Sequence, residues 1–335
     1  MDKTRLISGR SNLELAEGIS KKLGIPLTKC KLSEFANTEI QVEILENIRN
    51  MHVYLIQSGS ADDTRSINDY IMELLALINA CKLSNTKSIT VIIPYYPYSR
   101  SDKKDAPRTP IMGALIGNLL KMVGVTRIVS MDLHAGQIQG FTDLPFDNLY
   151  ALCLHVDNLK NGLFKDLTLD EINSKYILAS PDGGGVKRVE AYAKRLQMDY
   201  VVMHKQRDYS QKSIVLRCML IGDPEAIKGK TVILIDDMCD TCGTIVSAAN
   251  ELKGHGARDV IILATHGLFS SPAFERLNDC EMISKVVVTN TLPQISSLTK
   301  TSKLEIVDTS NLFAEVIERL VNGGSISALF LPCTL

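Results

Sequence analysis

The residues with the most chemistry follow an apolar run in the second half of the chain. In T-V-I-L-I-D-D-M-C-D-T-C-G-T-I, residues 231–245, Asp236 and Asp237 end the run, and a loop rich in Thr and Gly leads into a helical segment. Small residues let backbone N–H groups close around a phosphate at a helix N-terminus, where the dipole adds positive potential. Acidic side chains beside such a loop accept hydrogen bonds from vicinal sugar hydroxyls, directly or through Mg²⁺. An ordinary helix N-cap would explain one acidic residue, but this segment has three, Asp236, Asp237 and Asp240. The segment therefore predicts a sugar-phosphate site.

Two other strand ends in the second half carry charge. Residues 180–188, S-P-D-G-G-G-V-K-R, put Asp182 before three glycines, which allow either close approach of a ligand or only a tight turn. Lys205 and Arg207, in V-V-M-H-K-Q-R, are two apart, so an extended strand projects both to one side. Such a pair suits a strongly anionic transferring group, and a solvated strand end is an equal alternative. The polar residues 208–215 predict a mobile loop.

The first half has two segments of the same kind, residues 130–147 and 94–108. In the first, Asp132 and His134 share one face of a strand end, and two more acids follow, Asp143 and Asp147. Carboxylates with an imidazole fit Mg²⁺ bound through oxygen, water or phosphate, although a lone His at a strand end is more often structural. The second segment interleaves Tyr, Asp and Pro with four basic residues, Arg100, Lys103, Lys104 and Arg108. It is equally compatible with an anion site and with a solvated loop.

Short β-branched runs that end in polar or small residues alternate with amphipathic segments along the chain. The apolar runs are residues 4–8, 40–44, 52–57, 88–96, 126–132, 175–182, 200–207, 231–237, 259–267, 285–290 and 303–308. A capping box over residues 11–14 predicts a helix that ends near Gly24. Pro110 predicts the start of another helix, with Gly124 past its end. Continuous apolar strands between helices are typical of parallel sheets covered on both faces, so we expect an α/β fold of two doubly wound, mostly parallel sheets that meet near residues 150–175.

The composition excludes several classes of protein. With 335 residues, the chain has room for about two domains and a large core. Its 37 Lys and Arg against 38 Asp and Glu leave a net charge of −1, which argues against nucleic acid or an anionic membrane as the main partner. No apolar run approaches the roughly 18 residues of a membrane span, and the first residues form no apolar signal region. We therefore expect a soluble intracellular protein.

The eight cysteines are scattered, unlike those of a small disulfide-bonded scaffold. Cys239 and Cys242 have the C-x-x-C spacing of a zinc or redox site. Zinc needs a second ligand pair, and His255 and His266 are too far apart in sequence to supply the usual one. Two small side chains in a crowded loop is the favoured interpretation, with a metal or redox pair as the alternative.

Taken together, these motifs resemble the ribose-phosphate pyrophosphokinase family nearly end to end. The matching segments are F-A-N-T-E (35–39), Y-S-R-S-D-K-K-D (98–105), M-D-L-H-A-G-Q-I-Q-G-F (131–141), S-P-D-G-G-G-V-K-R (180–188), K-Q-R (205–207), I-D-D-M-C-D-T-C-G-T (235–244) and V-V-V-T-N-T (286–291). The resemblance implies transfer of the β,γ-diphosphoryl group of MgATP to the C1 hydroxyl of ribose 5-phosphate. The products would be phosphoribosyl pyrophosphate and AMP, for nucleotide biosynthesis in the cytoplasm.

The resemblance also implies a layout of the chain. Two domains of phosphoribosyltransferase type would span residues 1–150 and 151–335. The first would carry the ATP side and the oligomer contacts, and the second the ribose 5-phosphate loop and the catalytic loop. The last segment would pack back on the first domain. A homo-oligomer, a hexamer built of dimers, would be the assembly.

Residue roles follow from the same resemblance. The ATP pocket would comprise Phe35, Asn37, Glu39, Arg100, Ser101, Asp105 and His134. The ribose 5-phosphate site would comprise Asp236, Asp237, Asp240, Thr241, Cys242, Gly243 and Thr244. The Mg²⁺-linked residues would be Asp132, His134, Asp143, Asp147 and Asp182, and the catalytic cations would be Lys205 and Arg207. A regulatory anion site that binds activating phosphate would include Arg49, Arg108, Ser325 and Phe330.

Several positions depart from the family pattern. Ser101 stands where Gln is usual, Gln206 replaces an acid, and Asn47 replaces a common Ser. The segment from Ser60 to Tyr70 and the loop after Arg207 are slightly longer than usual. Ser101 concerns the adenine pocket, the two longer segments concern loop closure, and Asn47 concerns the regulatory anion site.

Two alternatives remain from the motifs. A type I phosphoribosyltransferase shares the loop after Asp236, but it has no use for the F-x-N-x-E and M-D-L-H-A motifs and is about half this size. A non-catalytic synthetase-associated subunit would have the same fold, but it lacks the K-x-R pair and an intact D-T-x-G-T loop, and this chain has both.

Overall fold

The computed structural model describes residues 3–208 and 215–330, without the side chains of residues 205–208 and 215–218. The side chains of Lys205 and Arg207 and most of the loop predicted after Arg207 therefore lie outside the described part. The chain divides into two compact units. The first contains the described residues of 1–150, 291–293 and 308–331, and the second contains those of 151–290 and 294–307.

Seven strands and four helices build the first unit. The strands are β1 (Thr4–Ser8), β2 (Cys30–Glu34), β3 (Ile40–Ile44), β4 (His52–Ile56), β5 (Ser88–Ile93), β6 (Arg127–Met131) and β7 (Phe146–Leu149). The helices are α1 (Leu13–Leu23), α2 (Ile67–Leu83), α3 (Met112–Val123) and, near the end of the chain, α10 (Ser310–Asn322). Five strands form a parallel sheet in the order β1-β4-β5-β6-β7.

The continuous apolar runs are the buried strands of this sheet. In β5, residues from Ile89 to Ile93 are all buried, because helices cover both faces. Leu55, Val91 and Ile128 of neighbouring strands join Leu77 of α2 in one apolar core.

The strands β2 and β3 form a separate antiparallel hairpin. Its register pairs Cys30 with Ile44 at the open end and Glu34 with Ile40 next to the connecting loop. The β3 strand packs against α2. Of the two strands, the apolar pattern predicted only β3, because β2 has no continuous apolar run.

The second unit has a seven-stranded sheet in the order β10-β9-β8-β11-β12-β13-β14. Its strands are β8 (Tyr176–Ser180), β9 (Tyr200–Asp208), β10 (Val215–Ile221), β11 (Thr231–Cys239), β12 (Asp259–Gly267), β13 (Ile283–Thr289) and β14 (Leu304–Val307). Its helices are α4 (Leu152–Asn161), α5 (Leu169–Lys175), α6 (Val186–Leu196), α7 (Gly243–Gly254), α8 (Ala273–Asp279) and α9 (Ile295–Leu298). All neighbouring strands are parallel except β9 and β10.

Two helix starts differ from the sequence prediction. The N-cap of α1 is Asn12, whose Oδ1 accepts from the N–H of Leu15, whereas the hydroxyl of Ser11 accepts from the N–H of Ser58. The capping box over residues 11–14 was therefore wrong. Helix α3 begins at Met112 and not at Pro110. The Oγ of Ser101 accepts the N–H of Met112 at 3.1 Å. The C-terminal ends of α1 and α3 were predicted correctly, since Gly24 and Gly124 are their left-handed C-caps.

Helix α10 packs against α1 within the first unit. The approach is close at Gly18, where any side chain would meet the hydroxyl of Ser310. Phe313 and Ile317 of α10 are fully buried. In the described part of the chain, no helix has both the length and the apolar character needed to cross a membrane.

Candidate active site

Two adjacent acids lie at the carboxyl end of β11. Asp237 is almost fully buried, and its N–H donates to Oδ1 of Asp236 at 2.9 Å. Arg188 Nη1 lies 3.4 Å from Asp237 Oδ1 and 3.8 Å from Asp236 Oδ1. Burial and the neighbouring Asp237 carboxylate raise the pKa of Asp236 well above its ordinary value, and Arg188 opposes that rise. Arg188 therefore lies within 4 Å of both carboxylates.

Arg188 was not assigned a role from the sequence, although it ends the S-P-D-G-G-G-V-K-R motif. It lies in the first turn of α6, which follows the end of β8. Strands β8 and β11 are parallel neighbours, so their carboxyl ends lie side by side. This adjacency brings Arg188 to acids 49 residues away in sequence.

The loop after β11 leads into α7. Cys242, the residue before the helix, has a left-handed backbone with φ of 58°, and its side chain makes no capping hydrogen bond in the described structure. Arg276 Nη1 of α8 donates to the carbonyl of Thr241 at 2.8 Å. Arg276 thereby restrains the loop from outside, a role that no sequence motif indicated.

The two cysteines of the C-x-x-C spacing are both buried. A hydrogen bond between the thiols, followed by burial, raises the pKa of Cys239 well above its ordinary value. Neither cysteine is in a disulfide. The described residues contain no group of three His, Cys, Asp or Glu side chains that could hold a metal ion.

Asp182 begins a tight turn at the end of β8. Its Oδ1 accepts the N–H of Gly184 at 2.8 Å and the N–H of Gly185 at 3.2 Å. A side chain at Gly185 would collide with the hydroxyl of Ser180. The glycine run therefore forms a turn that fixes one oxygen of the carboxylate, while Gly183 faces open space.

The backbone of Lys205 and Arg207 belongs to β9. In the antiparallel register Lys205 is opposite Cys218, and Arg207 is opposite Leu216. Strand β9 is also the parallel neighbour of β8, which ends before Asp182. The backbone is thus extended through both predicted catalytic cations.

In the first unit, Phe35, Asn37 and Glu39 share the loop that connects β2 and β3. The N–H of Phe35 donates to the carbonyl of Glu39 at 2.9 Å, and the N–H of Thr38 donates to the carbonyl of Phe35 at 2.9 Å. Thr38 has a left-handed backbone with φ of 70°. Because these bonds close the loop on itself, its shape is set locally and Phe35 is held exposed.

Three other residues of the predicted ATP pocket, Arg100, Ser101 and Asp105, lie in the loop between β5 and α3, whereas His134 follows β6. Ser101 accepts the N–H of Met112 through its hydroxyl and the N–H of Gly113 through its carbonyl, so its side chain supports the start of α3. Asp105 is exposed and lies 3.8 Å from the ammonium of Lys103.

The three acidic residues that follow β6 in sequence, Asp132, Asp143 and Asp147, have different surroundings. Asp132 has a left-handed φ of 39°, a strained conformation for a residue with a side chain and one that concentrates at functional sites. Asp143 pairs with Lys121 at 2.7 Å, and this hydrogen bond lowers the pKa of Asp143. Asp147 pairs with Arg127. Asp143 and Asp147 therefore have cationic partners within the unit.

The four residues of the predicted regulatory anion site all belong to the first unit. Phe330 makes an edge contact with Tyr150, with ring centroids 5.7 Å apart. The N–H of Arg49 donates to Oδ1 of Asn47 at 3.0 Å, and Arg319 donates to the carbonyl of Ser325 at 2.7 Å. Arg108 has a left-handed backbone.

Comparisons with known proteins agree with this geometry. A family model described as the N-terminal domain of ribose phosphate pyrophosphokinase matches residues 4–124, and one described as a phosphoribosyl synthetase-associated domain matches residues 214–331. The protein named ribose-phosphate pyrophosphokinase 4 from Saccharomyces cerevisiae is 44% identical over 326 residues, which cover 97% of this chain and 94% of that protein. The chain belongs to the ribose-phosphate pyrophosphokinase family.

A solved structure supports the membership. The phosphoribosylpyrophosphate synthetase from Mycobacterium smegmatis is 37% identical and has a TM-score of 0.85, covering 96% of this chain and 100% of that one. The predicted family, the α/β fold class and the enzyme class of ribose-phosphate diphosphokinases are confirmed. The roles of individual residues in this member of the family stay predictions.

Proposed function

We propose that the chain transfers the β,γ-diphosphoryl group of MgATP to the C1 hydroxyl of ribose 5-phosphate, giving phosphoribosyl pyrophosphate and AMP. The observation that carries the proposal is the end of β11, where two acids precede a loop that opens the twelve-residue helix α7. This arrangement supplies both halves of a sugar-phosphate site, hydroxyl acceptors and backbone donors. Nucleotide biosynthesis in the cytoplasm is the corresponding cellular role.

The ribose 5-phosphate would bind at this loop. Backbone N–H groups at the start of α7, around Gly243 and Thr244, would hold the 5-phosphate, helped by the helix dipole. Asp236 and Asp237 would accept hydrogen bonds from the ribose hydroxyls. Arg188 favours the ionised state of this pair, which is the state that accepts hydrogen bonds.

The nucleotide would bind at the first unit. Phe35 offers an exposed aromatic face for a base, and Asn37 and Glu39 of the same loop offer polar groups for it. Arg100 and Asp105 of the loop before α3 would complete the pocket, as the family resemblance implies.

Lys205 and Arg207 would act on the transferring group. Phosphoryl-type transfer needs positioning and charge neutralisation and uses no covalent nucleophile. A preorganised electrostatic contact of this kind is typically worth about 10²–10³ in rate. The backbone of β9 is extended through both residues, which is compatible with this role.

Mg²⁺ fits this chain as part of the substrate MgATP. Mg²⁺ usually binds one or two carboxylates together with substrate phosphates and waters. In the second unit, Asp182, whose orientation is fixed by two backbone N–H groups, is a carboxylate of that kind. In the first unit, the family resemblance implies Asp132 and His134 as Mg²⁺-linked residues. Asp143 and Asp147 would have to leave Lys121 and Arg127 to take part. When bound, the ion neutralises the phosphates and polarises the group that is transferred.

The deciding assay is AMP release from ATP in the presence of ribose 5-phosphate and Mg²⁺, followed by chromatography. We expect AMP only when both substrates and Mg²⁺ are present, and no AMP after chelation. In Lys205→Ala, we expect kcat to fall by at least about 10²-fold with little change in substrate binding. Release of pyrophosphate that depends on an added nucleobase, without AMP, would instead identify a phosphoribosyltransferase. The absence of any turnover would identify a non-catalytic subunit.

A further inference from the structure

A charged cluster lies directly beside the loop that carries Phe35. Glu34, the last residue of β2, accepts from Arg65 Nε at 2.7 Å, and Arg10 Nη2 lies 3.0 Å from the same carboxylate oxygen. The hydrogen bond from Arg65, followed by those from Arg10, lowers the pKa of Glu34, so the carboxylate is charged. Two guanidinium groups from separate segments thus converge on the end of the hairpin.

Arg10 is anchored on its other side. Its N–H and Nε both donate to Glu73 of α2, whose side chain is fully buried, and Gln57 Nε2 donates to the same carboxylate at 3.0 Å. A buried carboxylate with several charge-assisted bonds holds its partners in one geometry. Arg10 therefore connects the hairpin to the core of the first unit.

Arg65 is anchored by a turn. Asp62 Oδ1 accepts the N–H groups of Thr64 and Arg65, each at 2.7 Å, and the N–H of Asp62 donates to the carbonyl of Arg65 at 2.9 Å. The hydroxyl of Tyr70 donates to the other oxygen of Asp62. Arg65 lies in the segment from Ser60 to Tyr70, which the family resemblance implies is slightly longer than usual.

We infer that Arg65 and Arg10 form a clasp on Glu34 that positions the loop of residues 35–39, and that the clasp sets the affinity for the nucleotide. The loop closes its own hydrogen bonds, which fix its shape, and the hairpin packs on α2 through β3, so the clasp adds a second attachment at the end of the hairpin that carries the loop. Arg65 is a positioning residue, since it contacts the hairpin and not the substrate. The inference rests on the proposed function through the assignment of this loop to ATP.

The test compares steady-state constants of Arg65→Ala with those of the wild type. We expect the KM for MgATP to rise about three- to tenfold, the scale of a partly exposed ion pair, while kcat and the KM for ribose 5-phosphate change less than about twofold. Arg65→Lys keeps the charge and should recover part of the loss. The matched control is Lys285→Ala, which removes the ion pair with Glu305 in the second unit. It should lower thermal stability to a similar extent and leave every KM unchanged.

A double-mutant cycle separates the clasp from a general loss of stability. Glu34→Gln removes the ion pairs with both arginines, so it should raise the KM for MgATP at least as much as Arg65→Ala. The double variant should be little worse than Glu34→Gln, because that variant has already lost the Arg65 contact. Wild-type turnover with an unchanged KM in both single variants would overturn the clasp and leave the proposed function intact. A wild-type chain that forms no AMP would overturn both.

Discussion

At the level of single residues, the charge of the acid pair depends on Arg188. Two adjacent carboxylates in a buried position disfavour each other's ionisation, and burial disfavours it further. A guanidinium within 4 Å of both offsets part of that cost. If ribose hydroxyls are bound by these acids, Arg188 controls binding without touching the sugar.

We predict that Arg188→Ala raises the KM for ribose 5-phosphate by about tenfold, the effect of about 1.4 kcal/mol from a lost charge-assisted contact. The pKa of Asp236 is already raised, and loss of the cation raises it further. The ionised fraction then grows as the pH increases, so the KM of the variant should fall as the pH is raised over the range in which the protein stays folded. Steady-state kinetics across this range measures the effect.

The control for that experiment is Arg188→Lys, which keeps a positive charge and should show a weaker dependence on pH. A KM for ribose 5-phosphate that is the same in wild type and Arg188→Ala at every pH would contradict the role of Arg188. A uniform rise without any pH dependence would indicate lost packing and not a lost charge effect.

At the level of elements, the turn before α2 depends on one buried tyrosine. The hydroxyl of Tyr70 donates to Asp62, and burial together with this hydrogen bond raises the pKa of Tyr70 to about 12. Although burial alone would raise the pKa of Asp62, hydrogen bonds from Tyr70 and Thr64 hold it well below its ordinary value. The hydrogen bond that stabilises the turn is therefore retained over the pH range in which Tyr70 is neutral and Asp62 is ionised.

The raised pKa of Tyr70 gives a definite sign for the dependence of stability on pH. A group with a raised folded-state pKa contributes fully below its unfolded value near 10 and loses that contribution as the pH rises towards 12. We predict that Tyr70→Phe costs about 1 kcal/mol of unfolding free energy near neutral pH and progressively less above about pH 10.

Urea unfolding at several pH values would measure this difference, with Tyr200→Phe, an exposed position at the start of β9, as the control. The control should show no such trend. A difference between wild type and Tyr70→Phe that stays constant up to pH 12 would show that the hydroxyl contributes nothing through Asp62.

At the level of the whole molecule, the resemblance implies a homo-oligomer that phosphate activates. Arg49, Arg108, Ser325 and Phe330 come from both ends of the chain, and the structure places all four in the first unit. The return of α10 to that unit makes this possible. Membership of one unit is compatible with a common anion site, and both the site and its ligand stay predictions.

We predict that the rate of AMP formation rises at least about fivefold on addition of inorganic phosphate, a coupling at the lower end of the usual range. Arg49→Ala should remove most of the activation while the basal rate stays measurable. Light scattering on the same samples should show a homo-oligomer. A rate of AMP formation that does not change with the phosphate concentration would contradict the regulatory site.

Much of the fold was predictable from local patterns. Runs such as residues 232–235 are continuous and apolar because their strands are buried on both faces, and this property is visible without any contact being known. The helix ends at Gly24 and Gly124 were equally local, since a left-handed residue at that position favours glycine. The helix starts were not predictable in this way. Ser11 accepts the N–H of Ser58, and Ser101 accepts the N–H of Met112, and both partners are brought close by the tertiary fold.

By itself, the sequence determined the family, the class of fold and the strand ends at which chemistry occurs, because these depend on residue types at short spacings. The tertiary structure decided which charges meet. Arg188 reaches acids 49 residues away, and Arg10 reaches Glu73 across 63 residues. Parallel strands bring their carboxyl ends together regardless of their separation along the chain, so such contacts have no signature in spacing. The partners that set the charge of the acids could therefore be seen only in the folded molecule.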